Sequence, residues 1–265
     1  MSTRAGELIE LAQRATTDGA RLLVAVGGDG TLNEVVNGTL RAGGAADVAT
    51  IPLGTGMDFV RTHGIPTRFE DAVLVALEGN TRTIDVGRVA YRSWAGSDET
   101  RYFDNVSSAG MSGAVAQRAN AMSKALGGRV TFFYALTRVF FEWENTEVTV
   151  MLDDGERRGR MHDVIVANGI WHGGGMKLAP NARPDDALFD VVLIGDITKA
   201  DFIRTSPKLY KGTYLAHPKV ELLQSRAVSV DAPERLPIEL DGEQLGTTPA
   251  RWEIVPGALK VRVPA

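Results

Sequence analysis

The segment "RLLVAVGGDGTLNEVVNG", Arg21 to Gly38, constrains the fold more than any other part of the chain. Arg21 to Val26 is an apolar run broken by no turn residue, the pattern of a strand covered on both faces in a parallel sheet. The glycines behind it permit a sharp turn, and Leu32, Val35, Val36 and Leu40 then recur at the spacing of one helix face. The same unit returns at "VATIPL" (Val48 to Leu53), followed by "GTGMDF" and a short helical stretch. Ahead of both, Leu8, Leu11, Ala12 and Ala15 mark a helix that Asp18-Gly19 ends. Strand, glycine turn and helix in repetition predict a parallel α/β layer.

The pattern changes near Asp85. "RYFDNVSS", "EVTVML", "DVIVAN", "LFDVVLI", "AVSVDA", "PIELDG", "RWEIV" and "LKVRV" are short strands separated by turn signals such as "DDGE". They predict a mostly antiparallel β region, interrupted by one helix at Arg129 to Glu144, with the boundary near Gly87. The chain has no cysteine, which removes disulfides, zinc-thiolate sites and thiol nucleophiles from consideration. A formal net charge of -4 gives no electrostatic footprint for nucleic acid, so no nucleic-acid partner is expected. No run of about 20 apolar residues could span a bilayer. The opening residues carry acid where a signal peptide has its apolar core, so a cytoplasmic protein is expected. His63, His162, His172 and His217 show no ligand spacing, and His172 reads as a loop residue beside "GGG".

A glycine turn running into a helix brings backbone N–H groups and a partial positive charge to one place, a good seat for phosphate. "GGDGT" supplies this, yet it also carries Asp29. Asp29 and Asp58, behind neighbouring parallel strands, would face one crevice, and Asp85 at the end of "RTID" could approach it. At about 4 Å and an effective dielectric near 20, each like-charge pair costs on the order of 4 kcal/mol. Such acids beside a triphosphate make sense if Mg²⁺ lies between them. The turn can equally be a tight strand–helix connection without a ligand, and "LDGE" a plain hairpin turn.

Taken together, "GGDGTLNEVVNG", "IPLGTGMDFVRTHGIP", "TIDVGRV", "YFDNVSSAGMSGAV", "GGGMKLAPNARPDDALFDVVLI" and "IELDGEQ" resemble the bacterial diacylglycerol kinases and sphingosine-kinase-like lipid kinases. "GGDG" alone is shared with NAD kinases; the ordered set is more specific. The resemblance implies an α/β plus β architecture. A Rossmann-like parallel nucleotide-binding domain would take residues 1–86 with about 250–265. An antiparallel β-sandwich domain for the lipid would take 87–249. It implies ATP and Mg²⁺, and a lipid substrate, most of all diacylglycerol, met at the inner face of the membrane.

The resemblance also assigns residues. Gly27, Gly28, Asp29, Gly30 and Thr31 match the nucleotide loop, and Gly54, Thr55, Gly56 and Asp58 a second phosphate-side loop. Asp241 matches the general base, with Glu243 and Asp29 beside it in catalysis. Asp29, Asp58, Asp85 and Glu243 match the metal network, and Asp185 a loop that holds structural Mg²⁺ in some members.

Three departures stand out. Met57 replaces the family's asparagine in "GTGND", Ala187 replaces a glycine, and the usual opening strand with its Asn-Pro-x-Ser-Gly loop is not in the sequence. A catalytically impaired lipid-binding or regulatory homologue is therefore an alternative, an NAD kinase a more distant one, and a homodimer stays open. The aromatic run Phe132, Phe133, Tyr134, Phe140, Phe141 and Trp143 is either a core helix or the lining of an acyl channel. Arg204, Lys208, Lys211 and Lys219 near Tyr210 and Tyr214 are either a solvated face or a seat on an anionic membrane.

Overall fold

The computed structural model describes residues 4, 6–122 and 128–265, the last range without the side chains of 128–133. Helix α1 (Glu7–Thr17) leads into β1 (Leu22–Gly27), α2 (Asp29–Arg41), β2 (Asp47–Pro52), α3 (Asp58–His63) and α4 (Phe69–Glu78). Then come β3 (Asn80–Ser93), β4 (Asp98–Phe103), β5 (Val106–Gly110), α5 (Met111–Ala121) and α6 (Gly128–Glu142). The strands β6 (Thr146–Leu152), β7 (Gly155–Ala167), β8 (Trp171–His172), β9 (Met176–Lys177) and β10 (Phe189–Gly195) precede α7 (Lys199–Leu209). The chain closes with β11 (Val220–Ser225), β12 (Ala227–Asp231), β13 (Pro237–Leu240) and β14 (Glu243–Val263).

β1 and β2 pair in parallel, and the end of β14 returns to continue that layer, with Lys260 opposite Asp47. The remaining ladders of the main sheet are antiparallel. α2 presents Leu32, Val35 and Val36 to a core shared with Ala25, Val48, Phe59, Ile84 and Leu259. A second core gathers around Trp252, Phe103 and Phe189, the two phenylalanine rings stacked at 5.7 Å. Trp252 is fully buried and its indole N–H donates to Ser107 Oγ at 2.8 Å, so its one polar atom is satisfied inside the core.

Several expectations change. β1 is not covered on both faces. Among the described residues it pairs only with β2, and Val24 and Val26, which share one face, are 40% and 51% exposed. An apolar run records β propensity and burial of one face, but not whether the other is capped. "RYFDNVSS" is two strands, β4 and β5, parted by Asp104 and Asn105, whereas "RWEIV" and "LKVRV" lie within the single long β14. β14 absorbs irregularities at Thr247/Ala250 and Val255/Leu259, so one strand can serve both layers. The antiparallel region holds three α-helices among the described residues, not one. α5 lacks a continuous apolar stripe and α7 carries Pro207, which hid both. In the aromatic run, Phe140 is buried with Val139 and Met111 as a core residue. Tyr134 and Phe141 are exposed, and Phe132 and Phe133 lie outside the described side chains.

Candidate active site

The β1–α2 and β2–α3 turns abut. A methyl group added to Gly54 would stand 2.5 Å from the Cα of Gly28, so no side chain fits at this junction. Gly28 is also the N-cap of α2 and offers no side chain to the helix end. The amides of the first turn of α2 therefore have no intrahelical acceptor, and they face a cavity of about 610 Å³. That cavity is lined by Gly28, Asp29, Gly30 and Thr31 from one turn and by Gly54, Thr55 and Gly56 from the other. Asp241 and Glu243, distant in sequence, close its opposite side. Gly27 stands just behind, leaving room for the Thr31 side chain.

The aspartate within the glycine turn has a structural partner. Its Oδ2 and Oδ1 lie 3.4 Å from the amides of Asp58 and Phe59, at the start of α3. A carboxylate there complements the positive end of the helix and ties the two turns together. Asp58 is buried behind them. Its Oδ2 accepts from the Gly174 amide at 2.7 Å and its Oδ1 from Arg61 at 2.9 Å. Burial raises its pKa above the ordinary carboxylate value, against the pull of the Gly174 amide. Met57 has φ 60° and ψ 34°, the left-handed region that asparagine tolerates far better than a long side chain. A backbone demand at this position accounts for the asparagine expected there. Ala187 also has positive φ, 61°, where a glycine was expected.

Asp241 and Gly242 form the two-residue turn between β13 and β14, with Leu240 opposite Glu243. Their φ values are 47° and 86°, the positive pair of a type I′ hairpin, for which Asp-Gly is well suited. The "LDGE" segment is thus a hairpin turn and part of the cavity at once. The Asp241 carboxylate accepts from Asn33 Nδ2 at 2.8 Å and from the amides of Asp104, Asn105 and Val106 at 3.0–3.1 Å. Burial nevertheless pushes its pKa up to about 6. Asn33 is itself held, its Oδ1 accepting from Arg101 at 3.2 Å. Glu243 Oε1 lies 3.2 Å from the place a Cβ on Gly30 would occupy, so Glu243 and Asp29 flank Gly30.

Four expected site residues are not on the wall of this cavity: Gly27 and Asp58 lie behind the turns, and Asp85 and Asp185 are engaged elsewhere. Both oxygens of Asp85 are taken by amides, Oδ1 by Gly257 at 2.8 Å and Oδ2 by Ala187 at 2.7 Å, tying β3 to the irregular stretch of β14 and to the loop before β10. Asp185 pairs at 2.6 Å with Arg82 on the surface. Sequence reading also missed several residues near Asp241: Asn33, Arg101, Asp104, His172 and Glu239. Asn33 and Asn37 could have been found, since two amides i,i+4 apart interrupt the apolar face of α2. Asp104 is fully buried beside Asp241, and burial, then Asp241 and Asp29, push its pKa well up. Among the described residues no three acidic or imidazole groups converge to hold a metal unaided. Mg²⁺ is ordinarily held by one or two carboxylates, with phosphate and water completing its shell, and of the acidic residues on the cavity wall Asp29 and Glu243 could serve in that way.

A parallel layer ends in two abutting glycine turns, with a carboxylate hairpin across the cavity, an arrangement that could seat a phosphate beside a buried acid. Comparison with known proteins agrees. Residues 1–89 match the model of the diacylglycerol kinase catalytic domain, and 105–263 that of the YegS C-terminal NAD kinase beta sandwich-like domain. The chain is 35% identical to a Pseudomonas aeruginosa protein named "Probable lipid kinase YegS-like", over 98% of this chain and 82% of that one. It is 28% identical to the diacylglycerol kinase of Bacillus subtilis, over 95% and 80%. A crystal structure of a diacylglycerol kinase from Bacillus anthracis str. Sterne shares the fold with a TM-score of 0.71 at 19% identity, covering 99% and 83%. This chain belongs to the bacterial diacylglycerol kinase and YegS-like lipid kinase family, a family of phosphotransferases.

Proposed function

We propose that the protein is an ATP- and Mg²⁺-dependent lipid kinase that transfers the γ-phosphoryl group to the free hydroxyl of a membrane lipid, with diacylglycerol as the first candidate. The observation that carries this reading is the single cavity in which the glycine turns stand opposite Asp241. In this reading residues 1–86 and 250–265 form a Rossmann-like nucleotide half, and 87–249 form a β-sandwich half for the lipid. The α2 amides and the Gly54–Gly56 turn seat the phosphates. Asp29 and Glu243 would hold the cation, Asp58 bracing them from behind. Mg²⁺, when bound, would offset the charge that these carboxylates set against a triphosphate. Asp241 accepts the proton of the lipid hydroxyl, a role open to a carboxylate ionised above about pH 6. Its four donors fill the acceptor sites of the carboxylate, so one of them gives way as the proton arrives late in a loose transition state.

The lipid would be met at a membrane surface. No described helix is long and apolar enough to cross one. α7 turns Lys199, Ile203, Arg204 and Lys208 outward at helical spacing, Ile203 being 62% exposed. Phe141, 65% exposed, lies beside it under Lys199. Each such cation near an anionic leaflet contributes about 1 kcal/mol. Tyr214 takes no part, because it is buried with its hydroxyl donating to the Leu178 carbonyl, and Lys219 is turned toward Asp201.

The test is direct. Wild-type protein with [γ-³²P]ATP and a panel of lipids in mixed micelles should label at least one, and Asp241→Asn should not. A folded wild type that labels none of them rejects the reading.

A further inference from the structure

Glu239 is 1% exposed, although a carboxylate is costly to bury unless it is matched. On β13 its neighbours Ile238 and Leu240 fill the core as their strand positions require, while Glu239 points to the other side. Its Oε2 accepts from the Gly242 amide at 2.9 Å, and its Oε1 from Ser108 Oγ at 3.1 Å. His172 Nε2 lies 3.5 Å from the same Oε1. His172 comes from the β8–β9 hairpin, whose Gly174 amide holds Asp58 behind the glycine turns. Its pKa is raised: burial pulls it down, but Glu239, then Asp58, Asp241 and Asp163, outweigh that. A shorter or apolar residue at 239 would leave the Gly242 amide to solvent, and the turn would be fixed only by its own φ preferences.

We propose that Glu239 and His172 are positioning residues for Asp241: Glu239 anchors the Gly242 amide of the turn, and His172 supplies the matching charge that keeps Glu239 in place. The carboxylate of Asp241 is thereby presented to the cavity in one orientation. The inference rests on the reading of Asp241 as the proton acceptor.

The test compares Glu239→Ala, Glu239→Gln, His172→Gln and the double variant His172→Gln/Glu239→Ala with wild type. Glu239→Ala should lower kcat by about 100-fold, the scale of a small misplacement in an active site. His172→Gln should lower it by about tenfold, as loss of an outer partner does. The double variant should be no worse than Glu239→Ala alone, and KM for Mg·ATP should stay within about twofold throughout. Glu239→Gln keeps an acceptor for Gly242 and strands only His172, so it should match His172→Gln; it also serves if the alanine variant does not fold. Additive losses, or losses confined to KM, overturn the inference. A second readout needs no activity: the Gly242 amide should exchange at least about tenfold faster in Glu239→Ala than in wild type or Glu239→Gln, with β6 and β7 amides unchanged. Unchanged Gly242 exchange overturns it. A wild type without kinase activity would reject the proposed function and still leave this exchange result to decide the positioning role.

Discussion

The two sides of the cavity are built from opposite materials. The β1–α2 and β2–α3 turns offer backbone: glycines packed against one another, amides without side-chain caps, and an aspartate whose charge rests on the start of α3. The β13–β14 side offers side chains: Asp241 in a ring of donors, with Asp104 and Glu239 buried near it and Asp163 buried behind Glu239 and His172. Backbone donors can wait for a phosphate at little cost, because water solvates them until it arrives. Buried carboxylates must be held against their own desolvation, so that side stores the larger electrostatic penalty. Each side should therefore fail in its own way.

The largest effect is expected at Asp241. Asp241→Asn should lower kcat by about 1000-fold, the range of a lost general base, with Mg·ATP binding by calorimetry nearly unchanged. The wild-type rate should fall as pH drops below about 6, since the active form is the ionised one. Equal loss of nucleotide binding would erase the division between the two sides.

Next comes Asp163, which is buried and accepts from the Ser112 amide while its Oδ1 has no partner. Burial raises its pKa to about 7, above the ordinary 3.8. The folded state therefore favours the protonated form. The stability this carries is complete below about pH 4 and lost as pH rises through about 7. Asp163→Asn should escape the loss, gaining on the order of 4 kcal/mol over wild type at pH 8 and little at pH 4, by urea denaturation. A gain independent of pH would show that the charge is not what costs stability.

On the backbone side, Gly54→Ala drives a methyl group into Gly28. It should cost about 1–3 kcal/mol by overpacking and weaken Mg·ATP by about tenfold, with the kcat of the saturated enzyme much less affected. The smallest effects concern strain. Ala187→Gly should raise stability by about 1 kcal/mol, and Met57→Asn by about 0.5 kcal/mol, because each relieves an unfavourable left-handed residue. Thermal midpoints that fall instead would mean packing at these sites outweighs the backbone.

Much of this was legible in the residues. The strand–glycine–helix units announced the parallel layer, and the ordered motifs named Asp29, Asp241 and Glu243, which line one cavity, and Asp58, which lies behind its glycine turns. Asp85 and Asp185 belong to the same motifs, yet one is spent on the amides of Gly257 and Ala187 and the other on a surface arginine. His172 looked like loop, and Glu239 like one more strand residue, because their partners lie far away along the chain.

The sequence by itself determined the local elements and the turns, since propensity, periodicity and glycine conformation act over a few residues. It also determined that Met57 and Ala187 depart from their motifs, while Asp241 keeps to its own in an Asp-Gly turn. Only the tertiary structure decided which carboxylates are buried, which are already matched, and which face the cavity. Those outcomes depend on desolvation and on donors brought from distant strands, and neither leaves a trace in the spacing of residues along the chain.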